Sequence, residues 1–109
     1  GLARGRRLPL ALVPTTAGTG SEATPVAVIT VEGAEKRGVN SPVLIPDIAV
    51  LDASLTLGKP RALTAATGID AMVHAIEAYT SARAKNPISD MQAREALRLL
   101  GANLVTACE

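Results

Sequence analysis

The rhythm of apolar and polar positions changes partway along the chain. Up to Leu51 the apolar residues come in short runs broken by glycine, proline and hydroxyl residues; from Leu63 onward they recur at three- and four-residue intervals. The first rhythm belongs to short strands and the second to amphipathic helices. Leu8 to Val13, interrupted only by Pro9, reads as a buried strand of an α/β sheet. Val26 to Val31 (Val-Ala-Val-Ile-Thr-Val) is mostly β-branched and apolar, a further strand. Glu32-Gly33-Ala34-Glu35 is a turn signal, and Lys36 to Val39 returns as the second arm of a hairpin. Ile48 to Leu51 is another short buried strand, preceded by a loop marked by Pro42 and Pro46.

Beyond Gly58-Lys59-Pro60 strand formers give way to alanine, leucine and other helix formers. Pro60 suits the first turn of a helix, and one helix, or a short turn feeding a longer one, is expected from about Leu63 to Ser81. Ala82 to Pro87 reads as a loop. A second helix opens near Asn86-Pro87 or at Ser89, where Ser89-x-x-Gln92 has the form of a capping box. On that helix Ala93, Leu97, Leu100 and Leu104 share a core-facing stripe, while Arg94, Glu95 and Arg98 face solvent or a partner.

Two stretches carry candidate chemistry. Thr67 to Tyr79 holds the sole histidine of the chain, and Asp70 and His74 stand four residues apart, on one face of a helix. A carboxylate oxygen and an imidazole nitrogen on adjacent turns suit one divalent cation, with the remaining ligands supplied from elsewhere. The same spacing also occurs as a plain solvated pair. Small and apolar neighbours (Ile69, Ala71, Met72, Val73, Ala75, Ile76) imply a semi-buried cleft around it, where a metal would compensate unpaired charge. Glu77 is either an outer carboxylate orienting His74 or an exposed helix charge. The second stretch, Thr15-Thr16-Ala17-Gly18-Thr19-Gly20-Ser21-Glu22, follows a strand, where α/β proteins place ligands. Its hydroxyls suit phosphate or ribose oxygens, and its glycines let backbone approach a ligand. It has neither the GxGxxG fingerprint nor the ending of a P-loop, and an ordinary Gly/Thr turn has the same composition. Lys36 is a solvated strand charge or a cation reaching toward a cofactor.

Composition narrows the classes. A net charge of +1 gives no drive toward nucleic acid, and the cluster Arg4, Arg6, Arg7 lacks the aromatic residues on which bases stack: Phe and Trp are absent and Tyr79 stands alone. No apolar run approaches the length of a membrane span, and no secretory signal is visible. One cysteine, Cys108, excludes an internal disulfide and fits a reducing, cytoplasmic setting. The chain has 109 residues, opens without methionine and closes inside a predicted helix, which reads as a piece of a longer chain.

Three blocks together resemble the central part of the iron-containing (group III) alcohol dehydrogenase family: Pro14 to Thr24, Ser41-Pro42 through Ile48-Ala-Val-Leu-Asp52, and Leu63 to Tyr79. They stand in family order at family-like spacing and cover nearly the whole chain. The resemblance implies the end of a Rossmann-like dinucleotide-binding domain (residues 1–58) joined to the start of an all-helical metal-binding domain (residues 59–109), a dehydroquinate synthase-like architecture. It implies a metal held by one Asp and three His, with Asp70 and His74 matching the first two ligands and no counterpart here for the others. It implies that Thr15, Thr16, Thr19 and Ser21 contact a nicotinamide dinucleotide, NAD or NADP, with Thr24, Val26 and Lys36 lining it further. Ala53 and Lys59 depart from the residues most members carry, away from the chemistry. The implied activity is hydride transfer between an alcohol and an aldehyde or ketone, with Fe2+, or Zn2+ as the alternative, polarising the substrate oxygen. A homo-oligomer is implied for the full-length protein. A zinc-dependent, glycerol dehydrogenase-like enzyme of the same superfamily is the near alternative. A small non-catalytic α/β domain with a structural Asp/His pair is the distant one. The 109 residues alone are expected to be inactive.

Overall fold

The computed structural model describes residues 7–83 and 85–109. Arg4 and Arg6 of the basic cluster, and Ala84 of the interhelical loop, lie outside them. The elements run β1 (Ala11–Leu12), β2 (Val26–Thr30), β3 (Lys36–Asn40), β4 (Ile48–Ala49), α1 (Arg61–Thr80) and α2 (Pro87–Ala107), with short 3-10 turns between the strands. The chain divides into two compact units. One comprises the residues up to Thr15 together with Gly20–Ser54; the other joins Thr16–Thr19 to Leu55–Glu109.

The strand unit contains two separate two-stranded ladders. β2 and β3 form the expected hairpin, in register from Val26 opposite Asn40 to Thr30 opposite Lys36. Its loop is closed by Val31 N–H donating to the Glu35 carbonyl at 2.9 Å. Gly33 takes φ +80°, which glycine adopts freely, and Ala34 takes φ +63°, a left-handed conformation that its Cβ resists. β1 and β4 pair in parallel, Ala11 with Ile48 and Leu12 with Ala49. These two strands depart from expectation: each is two residues long, and Ile48 is 58% exposed where burial was expected. A two-stranded ladder offers its apolar side chains no second layer, and Val28 and Leu51 are likewise open.

Arg7 and Asp47 tie the edge of the β1–β4 ladder. The Arg7 guanidinium donates to both carboxylate oxygens, at 3.0 Å from Nη2 to Oδ1, and the Leu10 N–H donates to Oδ2 at 2.8 Å. The hydrogen bond from Arg7, followed by that from Leu10, holds the Asp47 carboxyl at about 2, below its ordinary value of 3.8. The folded form therefore favours the carboxylate. This contribution is fully present above about pH 4 and is lost as pH falls toward about 2. An NMR titration should find the Asp47 midpoint near 2, and Arg7→Ala should move it back up. A midpoint that does not respond to Arg7→Ala would contradict the pairing.

The helical unit is an αα-hairpin. Pro60 stands just before the first helical residue, and its carbonyl accepts from Leu63 N–H and Thr64 N–H at 2.9 and 3.0 Å. α2 starts one residue beyond Asn86, whose Oδ1 accepts from the N–H groups of Ile88 and Ser89 at 3.1 and 3.0 Å. The capping box is thus Asn86 with Ser89, not Ser89 with Gln92. Pro87 is suited to the first helical position, so of the two openings the sequence offers, the one at Asn86-Pro87 is the one taken, with the cap three residues upstream of Ser89. Such a cap stabilises a helix by about 1 kcal/mol. Lys85 bridges the two helices: its Nζ donates to the Tyr79 carbonyl and to Asp90 Oδ1 (3.0 Å), and lies 4.7 Å from the centre of the Tyr79 ring. Gly68, Ala75 and Ala93 are the buried residues of the pair, flanked by half-buried Leu97, Leu100 and Leu104 as the periodicity predicts. Arg94, Glu95 and Arg98 are exposed, and Arg98 pairs with Glu95 at 2.7 Å. Among the described residues no helix is long and apolar enough to cross a membrane.

Candidate metal and cofactor site

α1 presents two neighbouring stripes. Gly68, Met72 and Ala75 make up the half-buried to buried one. On the adjoining stripe Thr67, Asp70 and His74 follow the i, i+3, i+7 spacing that stacks side chains on one face. Asp70 Oδ1 and His74 Nε2 are 3.8 Å apart, and both side chains are about half exposed. That separation is beyond a good hydrogen bond. It is close to the ~3.4 Å between two donors that share a tetrahedral cation at bond lengths near 2.1 Å. One carboxylate oxygen and one imidazole nitrogen are ordinary ligands of a divalent first-row metal, so the pair fits such an ion after a small side-chain rotation.

Among the described residues the semi-buried cleft expected around this pair is not closed: both side chains stand about half exposed. Of the neighbours named for it, Ala71 and Met72 are half-buried and Ala75 is buried, but Ile69, Val73 and Ile76 are each at least 43% exposed, and Glu77 is exposed as well. A two-helix hairpin covers one side of each helix only, and the exposed residues stand on the uncovered side of α1. Among the described residues no third His, Cys, Asp or Glu joins the pair.

The hydroxyl stretch falls into two parts. Thr16 and Thr19 belong to the helical unit, whereas Thr15, Ser21, Thr24, Val26 and Lys36 belong to the strand unit. In the helical unit Thr16 and Ala17 line a cavity of about 360 Å³ with Thr56, Lys59, Thr64 and Thr67. The hydroxyls of Thr64 and Thr67 donate back to helix carbonyls: Thr67 Oγ1 to Leu63 O at 3.0 Å, and Thr64 Oγ1 to Pro60 O at 3.4 Å. Their oxygens thus remain available as acceptors. In the strand unit Ser21 opens a 3-10 turn whose last backbone contacts come from Thr24: its N–H and Oγ1 donate to the Ser21 carbonyl at 3.4 and 3.3 Å. Val26 and Lys36 lie on one face of the β2–β3 ribbon at opposite ends, about 13 Å apart along it.

One contact escaped the sequence reading. Gly18, like Gly20, was expected to let the loop backbone approach a ligand. Instead it lies against the Thr67 backbone, with no room for a side chain. The only sequence signal for it is the glycine itself.

Comparison with known proteins assigns the class. Residues 2–53 match the family model of iron-containing alcohol dehydrogenases, and residues 64–109 match the C-terminal model of the Fe-containing alcohol dehydrogenase family. The probable alcohol dehydrogenase EutG of Escherichia coli (strain K12) is 50% identical over 103 residues, 93% of this chain and 26% of its own length. The crystal structure of sulfoacetaldehyde reductase from Bifidobacterium kashiwanohense in complex with NAD+ superposes with a TM-score of 0.89 at 38% identity, over 94% of this chain and 27% of that one. An alcohol dehydrogenase from Oenococcus oeni superposes at 0.90 with 45% identity, over 97% of this chain and 28% of that one. The chain belongs to the iron-containing alcohol dehydrogenase family, and it spans about a quarter of the length of the curated relatives it matches. Its α/β part followed by helices corresponds to the end of the family's Rossmann-like domain and the start of its helical domain.

Proposed function

We propose that the protein carrying this chain is a metal-dependent, NAD(P)-linked alcohol dehydrogenase. The observation that carries the proposal is the Asp70–His74 pair, 3.8 Å apart on one stripe of α1. Asp70 and His74 would supply two ligands to a divalent metal, Fe2+ in the first instance and Zn2+ as the alternative. When bound, that metal acts as a Lewis acid toward the substrate oxygen of a small alcohol or aldehyde. Asp70 contributes the negative charge of the pair. His74 contributes a neutral nitrogen, so the pair reduces the charge of a divalent ion by one and leaves it electrophilic.

The hydroxyl residues are read as the dinucleotide side of the site. Thr15, Thr16, Thr19 and Ser21 offer donors and acceptors without charge, suited to ribose and phosphate oxygens. Thr24 and Val26 line the same cofactor, and Lys36 offers a cation to its phosphates. The two ends of the β2–β3 face, Val26 and Lys36, are far enough apart to meet different parts of one extended ligand. A cytoplasmic setting accords with the single thiol of Cys108.

The full-length protein is the material for the test. Removal of metal with a chelator should abolish NAD(P)-linked oxidation of short primary alcohols, and Fe2+ or Zn2+ added back should restore it. Undiminished turnover by metal-free protein would overturn the proposal. Glycerol oxidised in preference to primary alcohols, with zinc as the restoring ion, would instead identify the glycerol dehydrogenase-like alternative.

A further inference from the structure

We infer that Gly18 is a positioning residue. Its bare α-carbon seats the hydroxyl segment Thr16–Thr19 on the backbone of α1, at the head of the stripe that carries Asp70 and His74. The inference rests on the functional reading above, because it concerns where that segment holds the dinucleotide.

Two glycines of the segment have different reasons to be glycine. Gly20 takes φ +61° with nothing near the place of a side chain, so its role is conformational. Gly18 does not occupy the left-handed region. A Cβ there would collide with the carbonyl oxygen of Thr67 and lie only 2.6 and 2.7 Å from its carbonyl carbon and Cβ. Those atoms belong to a regular helix and cannot swing aside as a side-chain tip can. Thr67 is further held by its hydroxyl, which donates to Leu63 O at 3.0 Å and Thr64 O at 3.2 Å. Any side chain at residue 18 must therefore move the segment off the helix.

The place of contact gives the displacement its consequence. Thr67 precedes Asp70 by about 4.5 Å along the helix axis and His74 by about 10.5 Å, on the same face. Thr16 and Thr19 belong to the same compact unit as Asp70 and His74. The helix that carries the metal pair thus also sets the position of two of the hydroxyls assigned to the dinucleotide. A shift of the order of 1 Å between reacting groups is enough to slow a transfer step severely.

The test compares Gly18→Ala with wild type in the full-length protein, reading NADH and NADPH affinity by fluorescence, the KM for dinucleotide and for alcohol, and bound metal. The expected result is dinucleotide affinity weakened at least tenfold and a dinucleotide KM raised in step, with metal content and alcohol KM unchanged. A folded Gly18→Ala protein whose dinucleotide affinity stays within twofold of wild type overturns the inference alone. Parallel loss of metal and dinucleotide, the mark of general disordering, overturns it too. Failure of the wild type to bind either dinucleotide overturns both the inference and the functional reading. A second measurement does not depend on the variant folding: in the wild type, saturating dinucleotide should slow amide exchange across residues 64–72 as well as 16–19. Exchange unchanged across 64–72 overturns the seating of the segment on α1.

Discussion

His74→Ala in the full-length protein is expected to remove bound metal and to lower kcat/KM for alcohol oxidation by about a thousandfold, with the fold intact. Lewis-acid polarisation of the substrate oxygen contributes several kcal/mol to the transition state, and each 1.4 kcal/mol or so is a factor of ten. Loss of stability cannot mimic the effect. The His74 side chain is about half exposed, and alanine has the higher helix propensity, so α1 should tolerate the change. Asp70→Asn is the informative companion. It keeps an oxygen at the same place and removes the charge, so metal affinity should fall without the ion being excluded. The two substitutions should not be additive, because both act on the same ligand set. Metal analysis beside steady-state kinetics decides the matter. Full metal occupancy and full activity in His74→Ala would reduce the pair to a solvated feature of α1.

The second large effect is expected at Gly68, where α1 and α2 approach each other. A Cβ at this position would strike Leu104 Cδ1 and come within 3.2 and 3.3 Å of its Cδ2 and Cγ. The obstacle is the end of a flexible side chain, half-buried, and it can turn away. Gly68→Ala should therefore be nearly neutral, since about 1 kcal/mol of helix propensity gained offsets the repacking of Leu104. Gly68→Val adds two further methyl groups at this close approach, and the overpacking should destabilise the helix pair by about 2–3 kcal/mol. Urea unfolding followed by helical circular dichroism should give the order glycine, close to alanine, well above valine. Leu104→Ala combined with Gly68→Val should recover part of the loss, as residues in contact couple. Equal midpoints for glycine and valine would refute the close approach. The contrast with Gly18 is instructive. There the obstacle is helix backbone, so even a single methyl group has no way to be accommodated.

Much of the local structure was legible in the chain. The β-branched run from Val26 and the Glu32–Glu35 turn foretold the hairpin, because strand propensity and turn chemistry act over a few residues. The three- and four-residue recurrence foretold both helices and the stripe of Ala93, Leu97, Leu100 and Leu104. For the start of α2 the sequence offered Asn86-Pro87 or Ser89; the structure takes the first, and the capping box is Asn86 with Ser89 rather than Ser89 with Gln92, because both residues cap well and only the place of Pro87 separates them. The length and burial of β1 and β4 were not legible. An apolar run reports what a strand is suited to pack against, not whether that layer is present in the chain.

The candidate site divides along the same line. The Asp70–His74 spacing determines by itself that the two side chains share one helix face, since the period of the α-helix is a local property. The hydroxyl and glycine composition of Thr15–Glu22 likewise marked a stretch able to meet a polar ligand. Only the tertiary structure decided that the pair stands open, at 3.8 Å, on the uncovered side of α1. Only the tertiary structure split the hydroxyl stretch between two compact units and laid Gly18 against Thr67. Burial and close approach depend on which distant residues arrive at the same place. That is a property of the packed chain, and no window of neighbouring residues contains it.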